Sequence, residues 1–224
     1  MLALLPAVLR DWRGFSVQGF CVAASKVAVF LDYQNVHLVA HGLFMPRGTP
    51  VQDALVHPLR VAERLVAKRR DDSELSSIRV FRGRPNPGRQ PIPAAANDAQ
   101  TAAWEREDPR LQVIRRDLNY RDWPEHPPRE KGVDVALAIA LVESALLNEY
   151  DVAIVFSGDT DLIPAVEMAF RRTTPTVEIA AWSGAKPLWF PAEMAAGRRL
   201  PWCHFLGQQD FDAVRDQAIY IPKP

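Results

Sequence analysis

Short apolar runs alternate with amphipathic stretches along most of the chain. Runs rich in Val, Ile, Ala and Phe predict buried strands. We expect five of them, at residues 26–31, 77–81, 111–115, 151–156 and 176–181. Apolar residues at helical spacing predict helices between them, at residues 59–70, 97–107, 131–148 and 161–172. Strands that alternate with helices indicate βαβ units, so the pattern predicts an α/β fold with helices on both faces of a mostly parallel sheet.

Three segments depart from simple amphipathic patterning. The middle of the helix at 131–148 is apolar nearly all round, from Val133 to Val142, which is typical of a buried helix. The proline-rich stretches 83–93 and 121–128 are predicted to be irregular, because proline lacks an N–H donor and fixes φ. Beyond residue 183 the pattern weakens and predicts only a short helix near 191–196 and a strand near 202–206.

These patterns divide the chain into one domain with two attachments. We expect a domain over residues 26–182, a loosely attached extension over 1–25, and a C-terminal appendage over 183–224 that packs on the domain. The apolar start, Met1 to Arg10, is too short for a signal peptide and its basic residues follow the run. Without a run of about 20 apolar residues, no membrane span is expected. Cys21 and Cys203 share no motif, which favours reduced thiols and a cytoplasmic protein.

The charge balance does not by itself predict a partner. Lys and Arg total 27, as do Asp and Glu, so the chain is neutral overall. A nucleic-acid partner must therefore be argued from local patches.

Four aspartates fall at predicted strand ends or helix starts. Asp32 closes the first strand, Asp159 and Asp161 follow the fourth, and Asp134 lies in the first turn of the helix before it. Because ligands of open parallel sheets collect at the carboxyl ends of the strands, we expect these acids to meet at one edge. Taken singly, Asp161 is equally well explained as a helix N-cap, Asp134 as a carboxylate matched to the helix dipole, and Asp32 as a turn residue.

Carboxylates gathered at one place repel one another unless a cation or protons neutralise them. Oxygen ligands without His or Cys favour Mg²⁺ or Mn²⁺ over zinc. Such a cation activates water and stabilises charge on a phosphoryl oxygen. Phosphodiester hydrolysis follows as a hypothesis.

Three segments resemble the motifs of NYN-domain proteins, which belong to the PIN-like nuclease superfamily. They are 30–35 (Phe-Leu-Asp-Tyr-Gln-Asn), 131–138 (Lys-Gly-Val-Asp-Val-Ala-Leu-Ala) and 157–162 (Ser-Gly-Asp-Thr-Asp-Leu), within a resemblance over residues 26–182. It implies a Rossmann-like three-layer sandwich, an acidic pocket for Mg²⁺ or Mn²⁺, and endoribonuclease activity. It also implies roles for individual residues: Asp32, Asp134 and Asp159 as metal ligands, Asp161 as a water-mediated ligand, and Asn35 and Ser157 as supporting residues.

The sequence departs from the family pattern at one position. Many members carry a further aspartate six residues after the one at Asp134, where this chain has Ala140. Glu143 points roughly opposite Asp134 on an ideal helix, so we expect a solvated side chain rather than a replacement. The departure leaves open an RNA-binding protein of weakened activity.

Basic residues follow the second and third predicted strands. We expect Arg82, Arg84, Arg115 and Lys131 to contact RNA phosphates, with solvated surface arginines as the plain alternative. A phosphatase with Asp32 as nucleophile is a further alternative, which Gln34 disfavours because such enzymes usually carry a second aspartate there. RNA is the expected partner, and the apolar stretch 182–190 leaves a homodimer open.

Overall fold

In the part of the chain that the structure describes, six parallel strands form a single sheet. The computed structural model describes residues 23–191, 197 and 200–220. The strands are β1 (Ser25–Asp32), β2 (Ser73–Arg84), β3 (Leu111–Asp117), β4 (Val152–Phe156), β5 (Thr176–Trp182) and β6 (Cys203–Leu206). Their order across the sheet is β3-β2-β1-β4-β5-β6. The predicted α/β fold is confirmed, and the strand expected near 202–206 adds a sixth strand to the five predicted ones.

The alternation of side chains along β1 divides the interior into two layers. Val27, Val29 and Leu31 point into one apolar layer. Ala28 and Phe30 point into the other. All five are at most 1% exposed, as expected for a central strand that is covered on both faces.

Helices cover both faces, which gives the predicted three layers. They are α1 (Tyr33–Phe44), α2 (Pro58–Ala67), α3 (Pro91–Glu107), α4 (Val133–Leu146), α5 (Ile163–Arg172) and α6 (Gln208–Val214). Helices α1, α2, α3 and α6 contribute to the first apolar layer. Helices α4 and α5 contribute to the second.

The proline-rich stretch at 83–93 is more regular than predicted. β2 continues through Arg84, and α3 already begins at Pro91. Prolines are tolerated in the first helical turn, because the N–H groups there have no partner within the helix. The two prolines at the start of α3 therefore mark a helix start and not a loop.

The apolar stretch at 182–190 is used mainly inside the fold. Trp182, Leu188 and Phe190 are at most 5% exposed, and the Trp182 indole donates a hydrogen bond to the carbonyl of Val36 (2.8 Å). Among the large apolar side chains of this stretch only Trp189 is exposed, and the homodimer stays a prediction.

Parts of the earlier expectations fall on residues that are not described. Residues 1–22 of the expected extension and 192–196 of the expected short helix lie outside the described residues. Among the described residues, no helix combines the length and the apolar character needed to cross a membrane.

Helix α4 is not buried all round, contrary to the prediction. Leu137 and Leu141 are fully buried against the sheet. Val135, Ile139 and Leu146 are each more than half exposed. The helix packs on the sheet on one side and on α5 on another, so part of its apolar surface has no neighbour among the described residues.

Because one side of α4 is buried and the other is exposed, two substitutions only two residues apart should change the free energy of unfolding by different amounts. Leu137→Ala should lower the free energy of unfolding by about 2–5 kcal/mol, because it removes a fully buried side chain. Ile139→Gln should change it by no more than about 0.5 kcal/mol. Urea unfolding followed by circular dichroism measures both; equal losses would show that Ile139 is buried in solution.

Candidate functional site

The acidic residues gather where the strand order reverses. From β1, the chain adds β2 and β3 on one side and β4, β5 and β6 on the other, so the carboxyl ends of β1 and β4 flank the reversal point. Asp32 ends β1, and Ser157 follows β4. The Ser157 hydroxyl donates to Asp32 Oδ2 (2.7 Å), which joins the two strand ends directly. Open parallel sheets usually bind ligands at such a point.

Asn35 makes a second link across the reversal point. It lies in the first turn of α1, and its Oδ1 accepts a hydrogen bond from the Gly158 N–H (2.9 Å). Its own N–H donates to Asp32 Oδ1, which makes Asp32 the N-cap of α1. Ser157 and Asn35 therefore hold the Asp32 carboxylate from both sides.

The loop after β4 positions two further aspartates differently. Asp159 caps the short 3₁₀ turn Thr160–Leu162, with its Oδ1 accepting from the Asp161 N–H (3.0 Å). The capping role considered for Asp161 thus belongs to Asp159. The Asp161 side chain is exposed and borders the groove between α4 and α5. Asp161 is therefore the outermost of the four predicted acids.

Asp32 is the most buried of the four predicted acids. Its side chain is buried, and burial raises the pKa of its carboxyl, with the like charges of Asp159 and Asp134 acting in the same direction. Hydrogen bonds from Ser157 and from the Asn35 N–H oppose the rise in pKa only in part. Asp134 lies in the first turn of α4 and is partly buried. The structure thus brings Asp134 and Asp159 close enough to Asp32 for their charges to raise its pKa.

Glu130 is a fifth carboxylate that the sequence analysis did not single out. It lies in the loop before α4 and accepts a hydrogen bond from the Gly83 N–H at the end of β2. With its amide nitrogen facing Glu130, Gln34 donates to Glu130 Oε2 (2.8 Å). Burial raises the pKa of Glu130, and Asp32 and Asp134 raise it further. Glu130 lies two residues after a proline pair, in a stretch without helical or strand periodicity, so no local pattern singles it out.

The arginines predicted to contact RNA are mostly engaged within the protein. Arg82 is partly buried, donates to Gln100 Oε1, and lies over the rings of Tyr33 and Trp104. This packing role argues against Arg82 as a phosphate contact. Arg84 and Arg115 share the carboxylate of Asp98, which satisfies much of their charge.

A shallow groove beside the acids is nonetheless basic. Lys131 and Arg116 are exposed and line it together with Arg115. Lys131 and Gly132 of the groove directly precede α4, which carries Asp134 in its first turn. Of the four predicted RNA contacts, Lys131 is the one whose position best fits that role.

The position of the missing family aspartate faces an apolar hollow. Ala140 lines a mainly apolar surface hollow with Phe81, Ile114 and Ile139. Glu143 is exposed, as expected for a solvated residue. Neither residue adds a charge beside Asp32.

The carboxylate oxygens at this edge are the type of ligand that a hard divalent cation prefers, although they are not arranged as a complete coordination sphere. Within the described residues, no three His, Cys, Asp or Glu side chains are already grouped as metal ligands. Mg²⁺ commonly keeps several waters and binds proteins through only one or two carboxylates plus substrate phosphates. Asp32 is buried, and the charges of Asp134 and Asp159 raise the pKa of its carboxyl. Asp32 in turn raises the pKa of Glu130. Carboxylates that influence one another in this way offer the kind of site that Mg²⁺ needs.

The fold and the acidic edge define a Rossmann-like domain of the PIN-like type. A family model described as NYN domain matches residues 26–188. The chain therefore belongs to the NYN-domain family, a group of PIN-like, nuclease-type domains. The resemblance inferred from the three short motifs is confirmed.

Comparison with solved structures supports the fold alone. A crystal structure of a protein of unknown function from Vibrio parahaemolyticus, VPA0982, matches with a TM-score of 0.51 and 16% sequence identity. The match covers 84% of this chain and 95% of that chain. Comparison with curated proteins gives no significant match.

Proposed function

We propose that the protein is a metal-dependent endoribonuclease that hydrolyses RNA at the edge formed by β1 and β4. The observation that carries this proposal is the position of Asp32, which is buried at the reversal point and lies in the field of Asp134 and Asp159. Membership of a nuclease-type family supports the same conclusion.

Burying one carboxylate beside others costs stability unless something neutralises the charge. Among the described residues, no Lys or Arg donates a hydrogen bond to Asp32. Its carboxylate accepts from the Ser157 hydroxyl and from the Asn35 N–H. A cation that arrives with the substrate best explains why the protein keeps a buried carboxylate that lowers its stability. A bound Mg²⁺ or Mn²⁺ would activate water and stabilise charge on the phosphoryl oxygen.

The chain's own residues have separate roles in this proposal. Asp32, Asp134 and Asp159 would hold the cation, and exposed Asp161 would act through water. Ser157 and Asn35 would keep the Asp32 carboxylate oriented toward the cation. Lys131 and Arg116 would attract the phosphate backbone toward the edge.

The direct test is cleavage of a mixed RNA pool in the presence and absence of Mg²⁺ or Mn²⁺. We expect cleavage that requires the metal and that is absent in Asp32→Ala. Cleavage by Asp159→Asn at the full rate in a clean preparation would contradict the mechanism.

Glu130 provides a sharper test of the same site. Glu130→Gln should weaken Mn²⁺ binding by about tenfold, the lower end of what residues that orient metal ligands contribute. Electron paramagnetic resonance of free Mn²⁺ measures the affinity without any activity assay. Glu125→Gln, an exposed residue of the same loop, is the matched control and should leave the affinity unchanged; equal affinity in both variants would remove Glu130 from the site.

An RNA-binding protein of weakened activity is the second candidate, and Ala140 is the observation that favours it. This position adds no carboxylate to the site. RNA binding without metal-stimulated cleavage in the same assay would support this candidate over the first.

A further inference from the structure

A cavity lies on the opposite side of the β2 end from Glu130. It has a volume of about 740 Å³, within the usual range of ligand pockets. Its walls come from the turn before α2, from the first half of α3, and from the segment after α6. The end of β2 separates it from the acids: the Gly83 N–H donates to Glu130, while the Gly83 carbonyl accepts from Asn97, which lines the cavity.

Two hydrogen-bond donors at this cavity lack partners. Gln100 is 4% exposed, and its Oε1 accepts from Arg82, but its Nε2 has no partner in the described part of the chain. Arg215 donates through Nη2 to the Asp53 carbonyl (2.7 Å), yet its Nε is buried and likewise unpaired. Buried donors without acceptors are costly, so turning either side chain toward an acceptor on a bound molecule would be favourable.

The charges of the lining select against a strongly charged occupant. Arg82 and Arg215 are balanced by Asp53 and Asp216. Asp216 is already occupied, since it accepts from the Trp104 indole (3.0 Å) and the Tyr220 hydroxyl (2.7 Å). The remaining walls are mainly apolar, with Leu55, Pro93, Ala96 and Ile219 among them. A neutral molecule with apolar faces and hydrogen-bond acceptors on its edge matches this combination.

We propose that the cavity binds a nucleobase of the RNA strand that crosses the acidic edge. All four bases have apolar faces and carry acceptors on their edges. The inference rests on the proposed ribonuclease function for its choice of ligand. A base enters the cavity, and Gln100 Nε2 and Arg215 Nε turn to donate to its acceptors.

The test uses the four free nucleosides, which contain no phosphodiester, and the full chain carrying Asp32→Asn. Saturation-transfer NMR should show binding of at least one nucleoside. Gln100→Glu keeps the acceptor for Arg82 but removes the free donor, so it should weaken binding by about tenfold. Ala96→Phe should weaken it at least as much by filling the cavity, whereas Ala102→Phe, at an exposed position of the same helix, should not.

The outcomes separate this inference from the ribonuclease proposal. If no nucleoside binds, or if the Ala96→Phe and Gln100→Glu chains bind as well as Ala102→Phe, the cavity is not a base site, even where RNA is cleaved. If nucleosides bind with the expected sensitivity while a chain with intact Asp32 cleaves no RNA, the base site stands and the nuclease proposal fails.

Discussion

Replacing Asp32 with Asn is expected to abolish RNA cleavage and, in the absence of metal, to stabilise the fold. The cleavage rate should fall by roughly a thousandfold or more, because a catalytic cation contributes several kcal/mol to the transition state. The side-chain amide fits the same space and keeps an oxygen for the Asn35 N–H, while its NH2 group takes the place of Oδ2 and donates to the Ser157 oxygen, which donates to Asp32 in the wild type. The loss of activity would thus arise from the lost charge and not from a damaged site.

The gain in stability follows from the direction of the pKa shift. Burial holds the pKa of Asp32 above its ordinary value of 3.8, so the folded protein binds this proton more tightly than the unfolded chain does. Ionisation of Asp32 therefore costs stability. The advantage of Asn should be absent below pH 3.8 and should grow as the pH rises through the raised pKa of the folded state.

Thermal melting at several pH values, with and without Mg²⁺, measures this effect. Mg²⁺ should raise the melting temperature of the wild type and leave that of Asp32→Asn unchanged, because ligands stabilise only the state that binds them. Asp212→Asn, at an exposed position of α6, is the control and should behave as the wild type. If Asp32→Asn melts at a lower temperature than the wild type without metal, the ionised Asp32 carboxylate does not destabilise the fold.

Trp104→Ala is expected to cause the largest loss of stability. Trp104 is fully buried in α3, and its indole donates to Asp216 (3.0 Å). Its ring lies 5.1 Å from that of Tyr33 and 6.4 Å from that of Tyr220, measured between centroids. It therefore joins α3 to α1 and to the segment after α6, and its removal should cost about 3–5 kcal/mol.

The matched control is another tryptophan. Trp189 is 74% exposed, so Trp189→Ala should change the free energy of unfolding by no more than about 0.5 kcal/mol. Urea unfolding of both variants gives the comparison. Similar small losses for the two would mean that α3 is not anchored through Trp104.

The sheet and three of its acids could be predicted because they depend on local patterns. The central strands are short β-branched runs, as in 27–31 and 152–156, and such runs specify buried parallel strands. Once the strands are parallel, Asp32 and Asp159 must lie at the same edge, and the preceding helix brings Asp134 there. Those placements needed no knowledge of individual contacts.

The remaining features depend on contacts between distant residues. Glu130 is held by Gly83 and Gln34, which are 47 and 96 positions away in the sequence, so no local spacing identifies it. Arg82 was assigned to RNA because it follows the second predicted strand at the carboxyl edge, but its guanidinium lies over the rings of Tyr33 and Trp104. The exposed side of α4 was missed for a related reason: periodicity shows that a face is apolar but not whether a neighbour covers it.

The central claim is that a divalent cation binds at the carboxyl ends of β1 and β4. A crystal soaked in Mn²⁺, with anomalous diffraction measured, tests it most directly. We predict an anomalous peak at about 2.0–2.3 Å from an oxygen of Asp32, with Asp134 or Asp159 as a second ligand, directly or through water. Diffraction data that place no ion beside Asp32, while Mn²⁺ binds elsewhere or not at all, would contradict the proposed site.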